Sequence, residues 1–150
     1  MSSTSAGAPS PAPHPHAEGV AAGTPSSPGR YRYATARHTL TAVDSGDIRH
    51  ALARAALSQD WIAEAPSVVV VTALDARTAG KCRHRGIRYG HMEVGHTRQN
   101  VLLQAVALGL GGAMVGAFED VSLKQLLRLP GEEHPLAILP VGHPRDTVPR

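Results

Sequence analysis

Four groups of residues in this 150-residue chain have side chains or spacings capable of chemistry. They are Lys81 with Cys82, the histidines His84, His91 and His96, the glycines of GLGG with the later glycine of VGAF, and the pair His14 and His16. Cys82 stands among cations that lower a thiol pKa, yet no base is spaced to serve it, so it reads as an ordinary thiol. Separations of seven and five residues place His84, His91 and His96 on no common helical face. No carboxylate or thiolate completes that set, and His14 and His16 have no further ligands near them, so no metal centre is expected.

The glycines are the more informative feature. A dinucleotide fingerprint follows a strand and opens a helix, whereas these glycines follow a helix and open a strand, which argues against a Rossmann site. One reading is a helix C-cap followed by close backbone packing. The other uses the same geometry: without a side chain, backbone N–H groups can approach a ligand and donate to acceptors such as a flavin N5 or O4.

The elements that would position these residues are legible from periodicity. RYRYATARHTL alternates as an edge strand or hairpin, and DSGD follows as a turn. Asp47 can cap a helix from about Ile48 to Gln59, which Pro66 prevents from continuing. SVVVVTAL, Ser67 to Leu74, is apolar on both faces, as a central strand covered by helices on both sides must be. A basic link, Asp75 to Tyr89, leads to a helix from about Met92 to Leu108, whose second half, VLLQAVALGL, reads as buried on most faces. AMVGAF reads as a short strand, Leu123 to Leu129 as a one-face helix, and PLAILPV, Pro135 to Val141, as the last strand. Alternating strands and helices of this kind indicate a layered α/β or α+β domain without internal repeats.

Composition sets the remaining bounds. Residues 1–29 are mostly Ala, Pro, Ser, Gly and Thr and read as a disordered tail; 30–144 read as the folded domain and 145–150 as a C-terminal tail. A net charge of +3 with only 3% aromatic residues gives no footprint for nucleic acid. No apolar run is long enough to span a bilayer, and the single cysteine fits a reducing compartment, so a cytoplasmic protein is expected.

From RTAGKCRHRGIRYGHMEVGHTRQN through GLGG and VGAF to LPVGHP, the chain resembles the C-terminal part of a nitroreductase-fold flavoprotein of the SagB/ThcOx type. The resemblance covers about Arg30 to Pro144, and GRYRY…RHTL is similar to the hairpin before the family's first helix. It implies an α+β, three-layer nitroreductase-like sandwich, truncated at its N-terminus, that exchanges hydride with a small-molecule or peptide substrate through FMN. A homodimer, or a complementary nitroreductase-like chain, would complete the site. Carried over by motif, Val115, Gly116 and Ala117 lie along the flavin ring, Arg145 and Arg150 reach toward its phosphate, and Lys81 is the proton donor or acceptor. Cys82 stands where azoline-oxidising members have a tyrosine, so that acid/base pair is incomplete. The arginine-bearing N-terminal portion that holds flavin phosphate in such proteins is replaced by the Pro/Ala/Ser tail. The alternative expectation is therefore a noncatalytic remnant or interaction subunit that binds no FMN.

Overall fold

A computed structural model of the chain describes residues 18–22, 28–74 and 85–144. Its centre is β4 (Ser67–Leu74), the strand expected from the sequence. Successive side chains of a strand point to opposite faces, so the valine run feeds two cores. Val68 and Val70 pack with Leu52, Ile62, Leu123, Leu127 and Ile138 on one side, and Val69 and Val71 pack with Val94, Val101, Leu102 and Leu139 on the other. Each buried valine contributes about 1.5–3 kcal/mol relative to exposure, which is why a run apolar on both faces settles in the middle of a sheet.

The sheet is antiparallel throughout, in the order β3 (Thr39–Ser45), β2 (Gly29–Ala34), β1 (Glu18–Ala22), β4, β6 (Glu133–Gly142) and β5 (Gly111–Gly112). One face carries α1 (Arg49–Ala55), α2 (Trp61–Glu64) and α4 (Asp120–Leu127), and the other carries the 23-residue α3 (Arg85–Ala107). This is the expected three-layer α+β sandwich.

Several expectations need correction. The tail assigned to 1–29 contains β1, a strand hydrogen-bonded on both edges, to β2 and to β4. Its composition concealed it because a strand flanked on both sides draws on backbone pairing that side-chain character does not report. The helix expected over 48–59 is interrupted: α1 ends at Ala55, Leu57 and Ser58 take left-handed φ values of 55° and 59°, and the short α2 follows. AMVGAF is no continuous strand; beyond β5 only Val115 bridges to Ile138. The helix expected from Met92 begins at Arg85, seven residues earlier. Its second half, expected to be buried, is largely open, with Leu103, Val106 and Leu108 exposed by 59%, 71% and 64%. A single helix lying on a sheet buries one stripe, and the rest of its apolar surface has no cover within this chain.

Polar bonds tie the outer strands inward. Glu133, 1% exposed, accepts hydrogen bonds from Thr72 Oγ1 at 2.6 Å and from Arg32 at 3.0 Å, joining β6, β4 and β2 on one face. Arg30 pairs with Asp44 and donates to the Leu126 carbonyl of α4 at 3.1 Å. At the start of α1, Asp47 takes the capping role expected of it, accepting from the Arg49 N–H at 2.9 Å, while the Arg49 guanidinium holds its carboxylate at 2.6 Å and reaches the Ala65 carbonyl.

The bonds from Arg49 to Asp47 hold its carboxyl down at about 2, from an ordinary 3.8. A depressed folded-state pKa gives stability that is present above about 4 and lost as pH falls toward 2. The pair is more than a third exposed, so water screens it and Asp47→Asn is expected to cost only about 0.5–1 kcal/mol near neutrality. Urea unfolding as a function of pH checks this: the difference from wild type should shrink between pH 4 and 2, and a constant difference would show that the carboxylate charge is not involved.

Candidate functional site

The candidate site follows from how α3 ends. Gly109, at φ 72°, occupies the left-handed position of a Schellman cap, in which Leu110 N–H bonds the Ala105 carbonyl at 2.8 Å and Gly109 N–H bonds that of Val106 at 3.0 Å. Gly111 and Gly112 need no such conformation. They form β5 against β6, and a β-carbon on Gly112 would stand 2.9 Å from Leu102 Cδ2 and 3.2 Å from the Pro140 carbonyl oxygen. The glycine motif thus divides into one cap and one close approach.

Val115 then exchanges two hydrogen bonds with Ile138, at 2.8 and 3.0 Å, with its side chain in the core. In an antiparallel bridge the peptide groups of the flanking residues turn the other way. The Gly116 N–H accordingly points away from β6 and donates to no group among the described residues. Gly116 and Ala117 are exposed, and the space where a Gly116 side chain would lie contains only Met114 Sδ at 3.8 Å. The segment is held from a second direction by two bonds to α1 and the turn beyond it. Glu119 N–H donates to the Ala55 carbonyl at 2.8 Å, and Gln59 Nε2 donates to the Ala117 carbonyl at 3.1 Å and to Ala56 at 2.9 Å. Nothing in the sequence reading singled out Gln59, because its partner lies 58 residues away.

A separate open groove of about 820 Å³ lies between α3 and the ends of β4 and β6. Thr97, Asn100 and Gln104 line it from the helix, and Ser67, Val141 and His143 from the sheet. None of Val115, Gly116 and Ala117 lines this groove. Three expected site residues, Lys81, Arg145 and Arg150, lie outside the described residues, as do Cys82 and His84. Among the described residues no three His, Cys, Asp or Glu side chains are grouped to hold a metal ion. No described helix is long and apolar enough to cross a membrane.

Residues 20–143 match the nitroreductase family, and the chain belongs to it. The chain is 45% identical over 114 residues to MJ1384 of Methanocaldococcus jannaschii, whose name places it among the nitroreductases; the match covers 76% of this chain and 57% of that protein. Among solved structures, a nitroreductase-class protein of Anabaena variabilis superposes with a TM-score of 0.79 at 28% identity, over 85% of this chain and 27% of the other. The NADPH:FMN oxidoreductase of Vibrio harveyi, solved with NAD+, superposes with a TM-score of 0.57 at 27% identity, over 68% of this chain and 49% of the other. The chain therefore spans little more than half the length of the curated relative and less of the two solved structures.

The tightest approach near the groove tests its geometry. A β-carbon on Gly142 would lie 2.6 Å from Cδ of the Pro66 ring, which is too stiff to move aside. Gly142→Ala is expected to cost about 1–3 kcal/mol, lowering the melting temperature by several degrees in a thermal scan; an unchanged melting temperature would show that the contact is loose.

Proposed function

We propose that this chain is a flavin-binding oxidoreductase domain, with FMN seated along the Gly116–Ala117 edge and hydride exchanged with a small-molecule or peptide-borne substrate. The observation that carries the reading is the outward Gly116 N–H, a donor on an exposed edge whose neighbour Val115 is committed to the sheet. That donor suits an acceptor on a flat heteroaromatic ring. Family membership and the likeness to an NADPH:FMN oxidoreductase support the choice of ring.

When bound, FMN would supply two-electron hydride exchange at its N5. The chain's own residues would do the rest. Gly116 and Ala117 fix the ring edge through the backbone, and Lys81 holds or delivers a proton to substrate. Arg30, Arg32 and Arg49 are engaged in structural ion pairs, so contact with the flavin phosphate falls to Arg145, Arg150 or a second chain. SagB-type dehydrogenase chemistry without azoline oxidation is the finer form of the reading, because Cys82 takes the place of the second proton-transfer residue.

Titration of FMN into the purified chain tests the proposal. A flavin absorption band and a rise in melting temperature are expected, and a protein that stays colourless without thermal gain would refute it. Lys81→Ala should keep the flavin and lose turnover; unchanged turnover would remove Lys81 from its role.

The exposed apolar side of α3 supports a homodimer through this helix. Val106 and Leu103 are its most open large residues before the cap. Val106→Asp is expected to shift the chain toward monomer in sedimentation without unfolding it, since that side chain contributes nothing to either core. Wild-type sedimentation as a monomer would overturn the dimer.

A further inference from the structure

A strand edge bonded to its sheet at one residue is a poor platform, and Gly116 makes it poorer, since glycine is the residue with the most backbone freedom to lose. Val115 is fixed by both of its peptide groups on Ile138. The second fixed point is the Ala117 carbonyl, which accepts from Gln59 Nε2 at 3.1 Å. Between these points only the torsions of Gly116 and Ala117 remain, so together they set where the two N–H groups aim.

Gln59 can reach this carbonyl because the chain reverses after α1. Leu57 and Ser58 both adopt left-handed conformations, disfavoured for residues that carry a side chain. The turn folds Gln59 back against the helix it has left, where its amide also donates to Ala56 at 2.9 Å. Both amide hydrogens are thereby used, which fixes the orientation of the group. The last carbonyls of a helix lack helical partners, and here Ala55 and Ala56 receive theirs from Glu119 N–H and Gln59. The end of α1 thus gains its missing donors from the segment and side chain that shape the ring-contact edge.

We propose that Gln59 is a positioning residue whose amide, placed by the strained Leu57–Ser58 turn, fixes the Ala117 carbonyl and so sets the direction in which Gly116 and Ala117 present their N–H groups to the flavin. The inference rests on the FMN reading above. Gln59 touches neither flavin nor substrate and acts through the backbone of Ala117.

The experiment compares wild type, Gln59→Leu and Gln59→Glu in the full chain. Leucine keeps the bulk and removes the donors, while glutamate keeps the shape and sets a charge against two carbonyls. FMN titration followed by flavin absorbance should show Gln59→Leu binding about 3- to 10-fold more weakly than wild type, with an altered flavin spectrum and a nearly unchanged melting temperature. Relative to wild type at each pH, Gln59→Glu should bind worse than Gln59→Leu in mild alkali. That gap should close in mild acid, where a protonated carboxyl can donate again. A Gln59→Leu protein with wild-type affinity and spectrum overturns the proposal. If wild type takes up no FMN, the flavin reading falls, and nitrogen-relaxation NMR of the flavin-free chain then decides the positioning role. Gln59→Leu should raise backbone motion from Gly116 to Glu119 and leave β4 and β6 unchanged; unaltered order in that segment overturns it.

Discussion

A run of four valines that must be dry on both sides decides the rest of this molecule. Val68 and Val70 require a helical layer on one face of β4, and Val69 and Val71 require another on the opposite face. A strand covered twice cannot also be an edge, so β1 and β6 must flank it. Once β6 is in place beside β4, Ile138 becomes the bonding partner for Val115, and the position of the candidate flavin edge follows. The site inherits its coordinates from the core through a single bridging residue.

That dependence explains what the sequence could and could not disclose. The bounds of β4 were legible because a β-branched run bordered by Pro66 has few alternatives. The cap at Gly109 was legible for a similarly local reason, since glycine after an apolar helix meets a conformational need. The strand Glu18–Ala22 was not, because it is held by backbone bonds to neighbours on both edges rather than by its own side chains. Nor was the break after Ala55: Leu57 and Ser58 bear no mark of the left-handed conformations they adopt, which the surrounding contacts impose. At the site, the family motif located Val115, Gly116 and Ala117, while the residues bracing them, Ala55 and Gln59, came from a distant helix end that no local pattern connects to them.

The exposed flank of α3 shows the same limit from the other direction. VLLQAVALGL reads as a helix that wants burial all round, and the pattern is sound as a statement of what the surface needs. One chain supplies cover for a single stripe, leaving Leu103, Val106 and Leu108 in water. Hydropathy specifies that a surface must be covered without specifying by which molecule, so an assembly can be written into a helix that a single protomer leaves half satisfied.

The bond between Arg32 and Glu133 joins residues 101 positions apart, across a sheet whose central strand pairs with partners far from it in both directions along the sequence. Such pairings require large loops to close before any contact rewards the closure, and topologies of this kind reach the native state slowly. Glu133 belongs to the last strand made. Until that strand docks, Arg32 and Thr72 lack the carboxylate they meet in the finished sheet, and one edge of the valine strand stays open. The polar crosslink that stabilises the final fold is thus among the last pieces to be assembled, and for that interval an unpaired apolar strand is available to neighbouring chains.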